Sequence, residues 1–443
     1  MSTMTLRPRR RVQVAAAAAA VASLLALTAC SSGDDDASSD GTPSGELQIL
    51  VSSADASDAA FKAINDAFEA KYPDVKVTFA SVPNDNYPAS KASRLTANNV
   101  DILVVKNMVK VPEYASGAES DDSRLAASGA YVDLTAEPFM KNFNQTVLDA
   151  QAFDGKQYAV PTGLSYSTGM YFNKTIFADN GIEVPTTWTE LVATADTLKA
   201  AGITPFGVGG KDSWPAGLPM LAAVQGEYPD QASKQKLAQD LWEGTVKLTD
   251  AGPQTVLDKV AAILADTQDG MAGIGYDAIP AGFAAGDFAM VPDGTWNEPT
   301  IRAAVDGKFE YGYIPLPTSD EAASNATLNG KIELQLAVPA ATKHKTAALA
   351  WLDFFSDPVN YKTFVEKSGF SPAQTGIDVS DFLTGIADYT TNFELAWEQV
   401  WTGNPKAGQA ALFPFNYPAL KPLGTLDPAA AAQAAQADWA AGL

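Results

Sequence analysis

An α/β protein of two lobes is what this sequence predicts, on three observations. Residues 46–51 (ELQILV) form a short β-rich run, and residues 54–72 then place Phe61, Ile64, Ala67 and Phe68 at helical spacing. Val75, Val77 and Phe79 alternate as a half-buried strand, and residues 101–105 (DILVV) follow the next helix end as a wholly apolar one. Successive units of this kind argue for a parallel sheet covered by helices. The body from Gly45 onward has about 400 residues, more than the roughly 250–300 that a single core reaches, so it divides.

Each element has its own signal. Asp55 or Ser57 can cap the first helix, and residues 94–98 end the second. In open sheets of this kind ligands lie beyond the carboxyl ends of strands, which marks the loops at 52–55, 83–87 and 106–109. The Gly-, Ser- and Asp-rich stretch 116–129 reads as an inserted surface loop. Thr186 or Thr187 caps a helix (TWTELVATADTLKAAG) that stops at Gly202, with Trp188 stapling its start. Residues 203–208 form another apolar strand. Gly209-Gly210-Lys211 is not a phosphate loop, because Asp212 stands where Ser or Thr is required. Helices are expected near 347–355 and 393–401, and a last one over 428–443. There is no internal repeat at a fixed period.

The start of the chain is built for export. Arg7, Arg9, Arg10 and Arg11 precede an apolar run over 12–27 and the small residues Thr28 and Ala29, the order of a signal peptide over 1–29. The apolar run is short of the ~20 residues that span a bilayer. The string Leu27-Thr28-Ala29-Cys30 resembles the lipobox of bacterial lipoproteins, which implies lipidation at Cys30 and a membrane anchor there; a plain secretory signal is the other reading. The stretch SSGDDDASSDGTPS after Cys30 has almost nothing to bury, so residues 30–45 are expected to be a flexible tether outside the cytoplasm.

Charge and scarce residues exclude whole classes. The chain carries −22, and the first 29 residues hold four arginines and no acid, which leaves −26 after them. Such a body repels nucleic acid, so none is expected as a partner. Cys30 is the only cysteine, which removes disulfides, thiol redox chemistry and Cys-bound zinc. His344 is the only histidine; it reads as a solvated cap, and its solitude disfavours histidine metal sites and a Ser-His-Asp triad. No metal and no cofactor are expected. Chemistry by two carboxylates stays open among 52 acidic residues.

Four strings in order carry a resemblance. They are Asn65-Asp66-Ala67-Phe68-Glu69-Ala70-Lys71-Tyr72-Pro73; Tyr158-Ala159-Val160-Pro161 with Tyr171-Phe172-Asn173-Lys174 and Pro185-Thr186-Thr187-Trp188; Phe283-Ala284-Ala285-Gly286-Asp287-Phe288 leading to Asp293-Gly294-Thr295-Trp296; and Leu336-Ala337-Val338-Pro339 with Gly369-Phe370-Ser371-Pro372. Together, across most of 46–375, the chain resembles the extracellular solute-binding proteins (family 1) of bacterial carbohydrate ABC importers. It departs from them in the length of 116–129 and in Lys331-Ile332-Glu333, which stand where glycines are common. The resemblance implies a type II periplasmic-binding-protein fold with a ligand cleft between lobes. It implies three hinge crossings, near 160–163, 314–319 and 367–372. The lobes then comprise 46–161 with 319–367, and 162–318 with 368–443. The implied partners are a small carbohydrate and the transmembrane permease subunits, the receptor itself being a monomer.

A sugar offers an apolar C–H face and a rim of hydroxyls, so its site wants aromatic platforms beside hydrogen-bonding side chains. Trp296, on a loop after Gly294, faces the cleft in the resembled family, a core indole being the other reading. Trp214 follows a strand end, with Asp212 as an acceptor beside it. Tyr166, just past the first hinge, is either pocket or core. In the first lobe the candidates are Asn86 and Tyr87, Asn107 after the apolar strand, and Ser53 with Asp55, the latter also an N-cap. Glu333 is a further candidate. Trp397 and Trp401, four apart, either wall the cleft or pack the core. A non-catalytic receptor for a sugar or oligosaccharide is the leading expectation. A secreted carbohydrate-active hydrolase using two carboxylates, and an adhesion lipoprotein, are the alternatives.

Overall fold

The computed structural model describes residues 42–52, 55–391, 393–411 and 414–443. The leader, Cys30 and most of the expected tether lie outside the described residues. The tether's end is already structured: Gly45 begins strand β1 (Gly45–Ser52), its amide donating to the Asp74 carbonyl at 2.8 Å.

The first lobe is organised by a five-stranded sheet. Its strands are β1, β2 (Val75–Val82), β3 (Ile102–Val105), β4 (Ala159–Val160) and β11 (Gln335–Ala337), in the order β2-β1-β3-β11-β4. β1 runs parallel to β2 and β3, pairing Leu47 with Val77 and Ile49 with Ile102; β11 returns antiparallel to β3 and β4. Leu47, Ile49, Leu50 and all of β3 are buried, which explains why these strands read as apolar runs. The helix Asp55–Lys71 covers the sheet through Phe61, Ile64 and Phe68. Against it lie the helices Lys345–Ser356 and Pro358–Ser368, with Phe61 at 4.8 Å from Phe364 between ring centres. Trp351, wholly buried, satisfies its indole N–H on Asn65 at 2.9 Å.

The second lobe is built on four strands, β6 (Gly169–Asn173), β7 (Thr204–Phe206), β8 (Phe288–Pro292) and β9 (Tyr311–Pro315), in the order β7-β8-β6-β9. Its helix Trp188–Ala200 starts at a capping box of Thr187 and Glu190 and ends before Gly202, which takes a left-handed φ of +76°. The helices Leu218–Glu227, Gln231–Glu243, Ala251–Ala265 and Pro428–Gly442 share a second core containing Val224, Leu241, Val260 and Trp439. A third sheet joins distant parts of the chain: β5 (Gly163–Tyr166), β10 (Asn329–Glu333) and β12 (Glu394–Leu395), in the order β12-β10-β5. The architecture is thus a two-lobed α/β fold.

The structure corrects three local expectations. The stretch 116–129 is not simply a loop: it contains a helix, Asp121–Ala127, capped by Ser120. Its polar composition hides a buried carboxylate, Asp122, which accepts from Lys91 Nζ at 2.6 and 2.7 Å, the Tyr131 hydroxyl at 2.7 Å and the Lys106 amide at 2.8 Å. Residues 393–401 are not one helix but β12 followed by a single turn, Trp397–Val400, because β10 captures the backbone at 394 and 395. His344 is less a solvated cap than expected: its Nδ1 lies 3.2 Å from Asp101 Oδ2.

Candidate functional site

The five residues after β8 carry the centre of the site. Asp293 is 1% exposed and accepts from the Gly294 amide at 2.7 Å, Asn297 Nδ2 at 2.6 Å and the Tyr276 hydroxyl at 3.1 Å. Burial pushes its carboxyl up to about 7, against the pull of those three donors. The Tyr276 hydroxyl in turn accepts from Trp296 Nε1 at 2.9 Å. Indole, phenol and carboxylate therefore form one relay that fixes the angle of the Trp296 ring. Gly294 is required there: a Cβ would come within 1.9 Å of the ring, which folds back over the backbone.

Trp214 completes an aromatic cluster. Its ring centre lies 4.6 Å from that of Tyr276 and 6.2 Å from that of Trp296. Asp212 Oδ2 accepts from the Tyr276 amide at 2.7 Å, so this carboxylate is engaged in holding the cluster together. Trp296 itself is only partly buried and packs against the cores of both lobes.

Two charged groups of β10 border the cluster. On β10, Lys331 and Glu333 alternate onto one face, with Lys331 Nζ 3.5 Å from Glu333 and 5.0 Å from the centre of the Trp296 ring. Ser165 Oγ donates to Glu333 Oε1 at 2.5 Å. Burial alone would push the Lys331 ammonium down; Glu333 and Glu398 outweigh it and hold the ammonium above the usual lysine value. Lys106 follows β3 and reaches Asn84 Oδ1 at 2.7 Å. Desolvation, then the charge of Lys331, bring Lys106 down to about 8, although one flank of the residue stays open to solvent. Glu398, on the turn Trp397–Val400, has a carboxylate oxygen that is enclosed and has no hydrogen-bond partner.

The other candidates are dispersed. Tyr87 opens the helix Tyr87–Thr96 instead of lying in a loop, is 1% exposed, and donates its hydroxyl to the Val104 carbonyl at 2.7 Å while accepting from the Val104 amide at 2.8 Å. It is a strut of the first-lobe core, a correction that follows from its ring being apolar enough to bury. Asn86 is the exposed N-cap of that helix and makes no side-chain cap bond. Asn107 is exposed with φ +53°, and its carbonyl accepts from Ser120 at 2.8 Å. Tyr166 is 4% exposed with its ring toward Phe393, and its backbone N–H donates to Thr295 Oγ1 at 3.1 Å, beside Trp296. Trp397 is 1% exposed, packed on Trp401 and Phe415. Ser53 and the Asp55 side chain lie outside the described residues. Trp214, Asp212, Trp296 and Glu333 are thus brought together and the rest are not. Sequence reading missed Tyr276, Asp293, Lys106, Lys331 and Glu398. Alternation along β10 was the signal for Lys331, and the string Asp293-Gly294-Thr295-Trp296 was the signal for Asp293; nothing local marked the others.

The profile described as bacterial extracellular solute-binding protein matches residues 52–362. A multiple sugar-binding protein of Streptococcus mutans serotype c is 25% identical over 325 residues, which cover 72% of this chain and 73% of that protein. An uncharacterised ABC transporter extracellular-binding protein of Pyrococcus horikoshii is 26% identical over 71% of this chain and 68% of its own. Among solved structures, the solute-binding protein RafE in complex with raffinose superposes with a TM-score of 0.73 at 24% identity, covering 89% of this chain and 98% of that one. A Bacillus licheniformis sugar transporter protein in complex with stachyose gives 0.69 at 17% identity, covering 89% and 98%. The structural likenesses establish the two-lobed type II fold, and the relatives are named as binding proteins. With the profile spanning most of the folded body, the chain belongs to the bacterial extracellular solute-binding protein family.

Proposed function

We propose that this protein captures an uncharged sugar or oligosaccharide outside the cell and delivers it, chemically unchanged, to the permease subunits of an ABC importer. The observation that carries the reading is the cluster of Trp214, Tyr276 and Trp296 where the cores of the two lobes meet, bordered by Lys331 and Glu333. Flat π faces suit the C–H faces of pyranose rings, and the flanking charged groups suit their hydroxyls. The names of the relatives agree, since one is a multiple sugar-binding protein and structural neighbours hold raffinose and stachyose. Trp296, Trp214, Glu333 and Lys331 are the ligand-contacting side chains in this reading, with Asp212 and Tyr276 holding the platform.

The hinge crossings fit best at 160–163, at β10 and near 374–381. Residues 318–328 still lean on the second lobe, Thr318 Oγ1 donating to the Ala222 carbonyl at 2.7 Å and Asn325 Nδ2 to the Thr186 carbonyl at 2.9 Å. Phe370 and Ala373 still belong to the first-lobe core. The lobes then close by hinge motion as the ligand favours the closed state. Lipidation at Cys30 would tether a monomer to the outer face of the membrane, in keeping with the Leu27-Thr28-Ala29-Cys30 string.

The test is a thermal-shift and product screen of the purified protein against raffinose, stachyose, a xylo-oligosaccharide, a chitin oligosaccharide and galactose. A ligand at a hundredfold excess over its Kd stabilises by about 2.7 kcal/mol, and the sugar is recovered intact. A sugar that is cleaved points to the hydrolase reading, and a panel without any shift removes the sugar reading.

A further inference from the structure

The hydrogen bond that sets the angle of Trp296 leads to a buried acid, and each bond on the way has one direction. An indole N–H only donates, so Trp296 Nε1 gives its proton to the Tyr276 oxygen at 2.9 Å. The phenol's own proton is then left for Asp293, whose Oδ1 and Oδ2 each lie 3.1 Å away. The Gly294 amide at 2.7 Å and Asn297 Nδ2 at 2.6 Å are donors as well. Both oxygens of Asp293 therefore face donors, which suits a carboxylate and leaves no ready acceptor for the proton of a carboxylic acid. The residue is buried, and its backbone is pinned by the Gly169 carbonyl at 3.2 Å and the Tyr313 hydroxyl at 2.9 Å. Burial opposes the very ion that these donors favour, and the balance puts the change of state at about 7.

We propose that Asp293 is a positioning residue of the sugar site, acting through Tyr276 on Trp296, and that a proton taken up by Asp293 releases the indole and weakens sugar capture. The inference rests on the sugar-receptor reading and adds to it a regulation by pH. A neutral Asp293 must donate from one oxygen, and the Tyr276 oxygen is the acceptor beside it. The acid then competes with Trp296 Nε1 for that oxygen, and the phenol proton turns away. The indole loses the bond that fixed its angle. The other titratable groups around the acid are placed differently. Tyr171 and Tyr313 donate to the Gly294 and Asp293 carbonyls at 3.0 and 2.9 Å, and burial pushes both phenols further up. Asp212 accepts from the Tyr276 amide at 2.7 Å, and the charge of Asp277 also bears on Tyr276. Glu298 is engaged by the Tyr311 hydroxyl at 2.9 Å and by Arg302 at 3.4 Å. Lys331 lies over the indole beside Glu333 and is held above the usual lysine value. Lys106, at about 8, bonds Asn84 and not the relay, and the one imidazole, His344, pairs with Asp101.

The experiment is calorimetric titration of the intact purified protein with the tightest sugar of the panel at about pH 7.8, 6.8 and 5.8. The wild type, Asp293→Asn and Tyr276→Phe are compared, with the ligand-free melting temperature recorded for each at every pH. Across that range an acid near 7 passes from mostly charged to mostly neutral, so wild-type affinity should fall about tenfold. Asp293→Asn keeps the shape of the neutral acid and should bind weakly at every pH. Tyr276→Phe keeps the ring beside Trp214 but breaks the link, and should likewise bind weakly with a flat profile. A merely structural acid would shift melting temperatures and leave the pH profile of affinity alone. Wild-type affinity that does not follow pH overturns the proposal; an Asn297 amide turned to accept the proton would give that result. The same fall in Asp293→Asn overturns it too, since another group such as Lys106 or His344 would be titrating. A fall kept in Tyr276→Phe and lost in Asp293→Asn overturns the route through the phenol. If no sugar of the panel binds the wild type at any pH, the receptor reading itself has failed, and the role given to Asp293 with it.

Discussion

Lys331 holds its ammonium 5.0 Å from the centre of the Trp296 ring while its Nζ stands 3.5 Å from Glu333. One lysine therefore couples the aromatic platform of the second lobe to strand β10, whose continuation β11 belongs to the first-lobe sheet. A ligand stacked on Trp296 meets the lysine and the carboxylate at once. The same contact fixes what removal of either charge should do.

Lys331→Met should destabilise the ligand-free protein by about 3 kcal/mol, because it leaves Glu333 buried beside an uncharged side chain. Adding Glu333→Gln should restore part of that loss, so the double variant is less destabilised than the sum of the singles. Urea unfolding of the four proteins measures this directly. Strict additivity would mean that the two groups do not interact.

Asp293 should make the protein less stable as pH rises. Its folded value of about 7 lies above the ordinary 3.8, so its contribution is fully present below about pH 4 and is lost as the pH climbs through 7. A shift of about three units corresponds to about 4 kcal/mol across that window. In Asp293→Asn the loss between pH 4 and pH 7 should be correspondingly smaller. Denaturation midpoints at pH 4.5, 6 and 7.5 check it, and parallel curves for the two proteins would contradict it.

Asp122 should be intolerant of replacement. It is 2% exposed and serves Lys91, Tyr131 and the Lys106 amide together. Asp122→Ala strands a buried ammonium and should cost about 3–5 kcal/mol, read as a fall in the urea midpoint. Exposed Asp121→Ala, one residue away, should change it by less than about 0.5 kcal/mol.

The contrast between those two neighbours shows what the sequence could and could not reveal. Local chemistry carried the first strand–helix–strand unit, the Thr187–Glu190 capping box and the terminal helix around Trp439, because spacing and caps act within a few residues. The loops of Trp214 and Trp296 were also marked, the first by the strand end before it and the second by Gly294 and the family resemblance. Residues 116–129 misread because a buried carboxylate looks, in composition, like a solvated one; only its partners 31 and 9 residues away distinguish it. Residues 393–401 misread because β12 exists only through pairing with β10, some 65 positions earlier. Tyr276 reaches Trp296 by folding alone, 20 residues away in the chain, so no short window of sequence brings the two together.

Trp188 offers a control. It starts a second-lobe helix and packs on the second-lobe sheet core away from the aromatic cluster. Trp188→Ala should lower the ligand-free melting temperature by several degrees and leave sugar affinity within about twofold, whereas Trp214→Ala should lower affinity at least tenfold. Equal effects of the two on affinity would argue against an aromatic platform at Trp214.

Titration of the tightest panel sugar into the wild type and Trp296→Ala, followed by calorimetry, tests the central claim most directly. One equivalent should bind the wild type, and the affinity should fall at least a hundredfold in a Trp296→Ala protein that remains folded. Binding of equal strength in that variant would contradict an interlobe site built on this indole.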